Sequence, residues 1–254
     1  MCGPSARDGP VASTEDENKW ETVLSSYLNG IKAIFFDAGG TLLHLDSVRI
    51  RDLLSEELNV EVSLERFPLA QSLAMARVAE LVAAGAGSTE QLKREFYTTL
   101  LPETGVTREK LSDAVDCVYK LAREEMLWRK TEQGTAPALE ELKKRGYILG
   151  VVSNSDGRIE SAFEQAGLTS YFDFFIDSFH VGVEKPAPEI FLLATERAKV
   201  APEQAAYLGD LYWVDVVGAR SAGLIPILYD RFELVPQPGC MTIRSIGELL
   251  TLIR

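Results

Sequence analysis

The chain has 254 residues, 46% of them apolar and 25% charged, with 26 basic against 38 acidic side chains and a formal net charge of −12. That size suits one large domain, or one domain carrying an inserted second, and the apolar share is enough for a core, which excludes global disorder and a fibrous fold. The negative charge repels polyanions, so no nucleic-acid partner is expected, and no membrane span is expected because no apolar run approaches the roughly eighteen residues it needs.

Residues 1–18 mix Gly, Pro, Ser and acidic residues without periodicity and are expected to form a disordered tail. The N-terminal stretch has no apolar core for a signal peptide, and the three cysteines (Cys2, Cys117 and Cys240) are odd in number and show no spaced pattern. A reducing, cytoplasmic setting is therefore expected. Trp20, Val23, Leu24, Tyr27 and Leu28 recur at helical spacing before Gly30, a helix stop.

From residue 31 the texture changes to short apolar runs: IKAIFF, YILGVVS, FDFFIDS, AAYLGD, LIPILYD and CMTIRSI. After the first, they alternate closely with helix-like segments, the pattern of buried parallel strands in an α/β domain. The last is followed by Ser245 and Glu248 at capping-box spacing. Between IKAIFF and YILGVVS no strand candidate is found. There Ser88 and Gln91 suit a capping box, Thr107 suits the cap of a helix bearing Leu111, Val115, Val118 and Ala122, and Met75, Met126 and Trp128 are expected in helix cores. The expected organisation is a Rossmann-like α/β parallel-sheet core from residues 19–45 and 132–254, with an α-helical cap domain inserted over 46–131.

Open parallel sheets bind ligands at the carboxyl ends of their strands. IKAIFF ends in Asp37, followed by Ala38-Gly39-Gly40-Thr41; YILGVV ends in Ser153-Asn154; AAYLG ends in Asp210, with Asp215 five residues on; Lys185 stands in a loop ahead of another helix. A carboxylate on a strand end can attack phosphorus or carbon to form an ester, and a second can help hold a magnesium ion. A hydroxyl and an ammonium can bind the oxygens of a transferring group. An acid at a strand end is also the ordinary material of turns and helix caps.

Together, IFFDAGGTL, VVSNS, GVEKPAPEIF and YLGDLYWVD resemble, in order, the four motifs of the haloacid dehalogenase (HAD) superfamily, over roughly residues 31–46 and 132–254. They look like the branch with a helical cap between the first and second motifs. The resemblance implies Asp37 as nucleophile, Ser153 and Lys185 as phosphoryl binders, and Mg2+ held by Asp37, Asp210 and the backbone carbonyl of Gly39. It implies Asp215 as an outer ligand or a partner orienting Lys185, and Thr41 as a brace of the first loop. Asn154 is either a further donor beside Ser153 or a turn residue.

One departure stands out. Phosphatases of this family usually read Asp-x-Asp at the first motif, where the second Asp serves as acid and base; here Gly39 takes that place. Three readings follow. The first is a magnesium-dependent phosphomonoesterase acting on a small phosphorylated metabolite, slow or with its acid supplied elsewhere, for which His44 and Asp46 are candidates. The second is a 2-haloacid dehalogenase-like enzyme, which needs no acid there, although Gly209-Asp210 resembles a metal motif. The third is a non-catalytic protein that binds a phosphorylated ligand. Lys93 gives no reason to expect a Schiff base, and with only His44 and His180 a histidine-rich metal site is not expected. Trp213 either borders the pocket or packs on a neighbouring helix. The oligomeric state is left open.

Overall fold

The structure, a computed structural model, describes residues 28 and 30–253. The expected tail at 1–18 lies outside the described residues. So does the helix expected from Trp20, except for its last residue, the buried Leu28.

The six apolar runs form one parallel sheet: β1 (Ala33–Phe36), β4 (Ile148–Ser153), β5 (Phe174–Asp177), β6 (Ala205–Gly209), β7 (Ile225–Tyr229) and β8 (Met241–Ile243), in the order β5-β4-β1-β6-β7-β8. Side chains alternate across the pleat, so each strand feeds two cores. Ile34 and Phe36 face a layer containing α5 (Thr135–Lys144) and α6 (Ile159–Gln165). Ala33 and Phe35 face the opposite layer, with α8 (Pro188–Ala198) and α9 (Val217–Ser221). All four of these β1 side chains are fully buried, which is why the strand is an uninterrupted apolar run. Connections from β1 lead to one side of the sheet through β4 and to the other through β6, placing a topological switch point at the carboxyl end of β1.

Four α-helices lie between β1 and α5: α1 (Ser47–Leu58), α2 (Phe67–Ala83), α3 (Thr89–Glu103) and α4 (Leu111–Glu124). They share a core of their own that includes Ile50, Leu54, Ala74, Leu100 and Val118. The capping box at α3 forms in both directions, Gln91 N donating to Ser88 Oγ at 3.4 Å and Ser88 N to Gln91 Oε1 at 2.7 Å.

Four local expectations are corrected. The stretch between β1 and β4 does contain strands, β2 (His44–Leu45) and β3 (Trp128–Lys130), paired antiparallel. Two and three residues are too few to show alternation in sequence. Trp128 therefore lies on a strand rather than in a helix, and Met126 lies after the end of α4. Thr107 does not cap α4, whose first residue is Leu111; Lys110 N instead closes a turn on Thr107 O. Glu248 makes no capping box, because its carboxylate accepts from Arg244 N and Ser245 Oγ ahead of the short α10 (Leu249–Leu252).

Candidate active site

Parallel pairing brings the ends of β1, β4 and β6 to one edge. Asp37 follows β1 directly, and its amide continues the ladder by donating to Leu208 O at 2.8 Å. Ser153 is the buried last residue of β4, and Asp210 follows β6. Oxygens of Asp37, Asp210 and Asp215 lie within 4.8 Å of one another.

Lys185 comes from the loop between α7 (Ser178–Val181) and α8, far away in sequence. Its ammonium is buried and has three donors, each with an acceptor: Asp37 Oδ1 at 2.5 Å, Asp215 Oδ1 at 2.8 Å and Tyr207 Oη at 2.9 Å. Tyr207 in turn donates to Val152 O at 3.0 Å. Asn154 fastens the lysine's backbone, donating to Lys185 O at 2.9 Å and accepting from Lys185 N at 2.8 Å. One N–H and the oxygen of the Asn154 amide thus hold the loop that carries Lys185, as the turn reading of this residue expects.

Asp215 divides its oxygens between Lys185 and Leu211 N, the latter at 2.9 Å. It stands so close to the end of β6 that a Cβ on Gly209 would lie 2.3 Å from its Cγ. Gly40, at φ +92°, has a similar relation to Asp210, whose Oδ2 would be 2.3 Å from a Cβ. Thr41 Oγ1 donates to Asp210 Oδ1 at 3.3 Å. The first loop therefore braces the Asp210 carboxylate through a glycine that permits close approach and a hydroxyl that bonds it.

Burial pushes the Asp37 carboxyl up to about 6, against the pull of Lys185. Burial, reinforced by Asp37 and Asp215, holds Asp210 well above the usual carboxylate range. Burial acts to lower Lys185, but the carboxylates of Asp215 and Asp37 outweigh it and keep the ammonium charged. One ammonium stands among three carboxyl groups and bonds two of them, and the raised Asp210 shows that the site would hold more negative charge than Lys185 offsets. Asp37 and Asp210 suit a divalent cation with oxygen ligands, which would offset that charge.

At Gly39 the surroundings are apolar. This residue is not in the left-handed region, and a Cβ there would meet the Trp128 ring, its nearest atom 3.4 Å away. The indole packs against both the sheet core and the helical core, and against Phe96 with ring centroids 5.6 Å apart.

The two proposed substitute acids are held by different partners. Asp46 caps α1, accepting from Arg49 N at 3.2 Å, and is ion-paired with Arg129 and Lys130. His44 has its Nδ1 bonded by Gln71 Nε2 at 3.1 Å, an orientation fixed because Gln71 Oε1 accepts from Leu45 N at 3.0 Å. The imidazole thus carries its proton on Nε2, which is buried without a hydrogen-bond partner and lies 3.9 Å from Glu132. Lys93 is exposed on α3 and His180 is exposed at the end of α7. Trp213, half-exposed, stands in the π-helical turn Tyr212–Val216 against which α2 packs.

A family model described as haloacid dehalogenase-like hydrolase matches residues 31–223. The chain belongs to that family. It is 37% identical over 116 residues to the haloacid dehalogenase-like hydrolase domain-containing protein 3 of Mus musculus, a match covering 46% of each chain and so about half of that relative's length. It is 29% identical over 171 residues to a phosphoserine phosphatase of Thermus thermophilus, covering 67% of this chain and 66% of that one. It is also 29% identical over 212 residues to a glyceraldehyde 3-phosphate phosphatase of Methanopyrus kandleri, covering 79% and 84%. Among solved structures, the HAD-hydrolase YfnB of Bacillus subtilis bound to magnesium matches with a TM-score of 0.65 at 19% identity, over 88% of this chain and 99% of that one. A 2-haloacid dehalogenase of Pseudomonas syringae matches with 0.53 at 24%, over 88% and 98%. The fold is shared by dehalogenases and hydrolases alike, so the choice of chemistry rests on the site.

Tyr207 was missed in sequence, hidden as one more apolar residue of β6. A fully buried tyrosine needs a hydroxyl partner, and that need was the available signal. Among the described residues no helix is long and apolar enough to cross a membrane.

Proposed function

We propose that this protein is a magnesium-dependent hydrolase of small phosphorylated metabolites that works through an aspartyl-phosphate on Asp37. The observation that carries the reading is the charge deficit at the end of β1: three converging carboxylates with a single ammonium among them. A site that works without a metal ion would leave this excess of buried acidic groups without a counter-charge. The phosphatase names of the Thermus and Methanopyrus relatives point the same way.

In this reading a phosphomonoester enters with its phosphoryl group at the carboxyl ends of β1, β4 and β6. Asp37 attacks phosphorus, the Ser153 hydroxyl bonds a phosphoryl oxygen, and the Lys185 ammonium acts on the group as a point charge. When bound between Asp37, Asp210 and the Gly39 carbonyl, magnesium supplies charge compensation for those oxygens. Asp215 and Tyr207 keep Lys185 aimed at the nucleophile, and Asn154 keeps its loop in place. Water then attacks the aspartyl-phosphate and releases phosphate. Residues 46–131 act as a cap that closes over the site from the β2–β3 ribbon and excludes bulk water during attack.

A second reading, binding of a phosphorylated ligand without turnover, is favoured by the apolar surroundings of Gly39. Pre-steady-state reaction with p-nitrophenyl phosphate separates the two. The expected result is a nitrophenolate burst that requires magnesium and disappears in Asp37→Asn, with that variant still folded. A folded, magnesium-binding protein with no burst would move the assignment to the binding reading.

A further inference from the structure

The chain passes between the sheet core and the helical core twice, through β2 and through β3, and a row of side chains ties these crossings to α2. Gln71 stands on α2, the helix that packs against the Tyr212–Val216 turn carrying Asp215. Its buried amide uses both ends on the first crossing: Oε1 accepts from Leu45 N at 3.0 Å, and Nε2 donates to His44 Nδ1 at 3.1 Å. Turning the amide over would set its NH2 group against the Leu45 N–H, so the direction of the second bond is fixed. The other imidazole nitrogen faces the core. Nε2 is buried without a hydrogen-bond partner among the described residues, 3.9 Å from Glu132, which is ion-paired with Arg231 beyond β7.

This arrangement needs a neutral ring. With its proton on Nε2 the imidazole offers a lone pair at Nδ1, whereas an imidazolium carries protons on both nitrogens. The new proton would point at Gln71 Nε2, donor against donor, and Gln71 cannot turn without abandoning Leu45 N. Of the charged groups facing the ring, Glu132 favours the imidazolium and Arg231 opposes it; Lys130, across the ribbon, is paired with Asp46. The buried, unpartnered hydroxyl of Tyr229 at the end of β7 feels the same Glu132 carboxylate. A protonated ring is therefore drawn away from α2 toward Glu132.

We propose that Gln71 and His44 form a latch between α2 and the core, fastened while the imidazole is neutral and released when it takes up a proton, so that acidification frees the cap over Asp37. This rests on the reading of residues 46–131 as a cap above a nucleophilic Asp37. Release loosens α2 from the ribbon and from the turn that carries Asp215, and bulk water gains access to the site. Burial holds the pKa of His44 below the ordinary 6.5 in the fastened state, so protons bind chiefly to the released one.

The test is amide hydrogen exchange of the whole chain, read by NMR at pH of about 7.5 and about 5.5 and corrected for the intrinsic effect of pH. Leu45 N–H, whose acceptor is Gln71, reports the latch, and Phe35 N–H in the central strand β1 reports global unfolding. With a released-state pKa of about 6.5, linkage predicts that protection of Leu45 falls by up to about ten-fold, while Phe35 stays the better protected. In His44→Gln, which cannot titrate, that fall should vanish. Gln71→Glu should reverse its sign, because a carboxylate accepts from Leu45 N and from a protonated Nδ1 alike. Equal falls in the native protein and His44→Gln, a Leu45 that exchanges only together with Phe35, or a folded Gln71→Glu without reversal each overturn the latch. The nitrophenolate burst then tests the cap. Asp37 titrates near pH 6 in both proteins, so a further slowing in acid that His44→Gln lacks ties the latch to closure, and equal slowing overturns that link. No burst at either pH overturns the nucleophile reading instead and leaves the exchange result standing.

Discussion

The two sides of the Asp37 carboxylate are built from opposite materials. On the β6 side lies a saturated polar network in which Lys185, Asp215, Tyr207 and the Val152 carbonyl satisfy one another. On the β2–β3 side lie a bare Cα at Gly39 and an indole. The first is a device for holding a charge and a nucleophile in place; the second turns apolar surface to the first loop. A site of this kind is equipped to hold a nucleophile for attack, which links its packing to the chemistry proposed for it.

The largest effect is expected from breaking the polar side. Lys185→Met leaves Asp37 and Asp215 buried without their shared cation, and removing one partner of a buried ion pair costs about 3–5 kcal/mol. Urea denaturation should show that loss, together with complete loss of the burst. Unchanged stability would mean that the ammonium is not paired with these carboxylates in solution.

The apolar side offers the converse experiment. Gly39 is not in the left-handed region, and a Cβ there would touch the Trp128 ring at 3.4 Å, so an aspartate would share its space with the indole. Gly39→Asp alone is expected to change turnover little. Combined with Trp128→Ala, which vacates that space, it should speed hydrolysis of the aspartyl-phosphate by up to about 10²–10⁴. Equal turnover in the single and the double variant would show that the indole does not guard this position.

Much of this contrast was legible in the sequence, and unevenly. All six sheet strands were, because burial on both faces leaves continuous apolar runs. So were Asp37, Ser153, Asp210 and Asp215, because parallel strands bring their carboxyl ends to one edge. The Gly39 substitution was visible, whereas its Trp128 neighbour was not. That contact joins positions eighty-nine apart through the β2–β3 ribbon, whose five residues are too short for any periodic signal. Asn154 was left between two roles for a related reason: a residue beside a binding serine suggests a ligand contact, and only tertiary structure shows its amide bonded to the Lys185 backbone.

The smallest expected effect tests whether the wall side is as closed as it looks. His44 sits on β2 with Gln71 on one nitrogen and Glu132 and Arg231 facing the other. Burial, joined by Arg231, outweighs Glu132 and lowers its pKa from the ordinary 6.5, so the folded protein keeps it neutral. The unfolded chain therefore binds a proton that the folded chain refuses, and stability must rise with pH through this window. The contribution is fully present above the unfolded pKa of 6.5 and is lost as pH falls toward the lower folded value. Lowering the pH from about 7.5 to about 5.5 should reduce the urea midpoint more in the native protein than in His44→Gln, which cannot titrate. Parallel declines in the two proteins would place His44 in contact with water, and the ribbon that carries Trp128 would then be open rather than sealed.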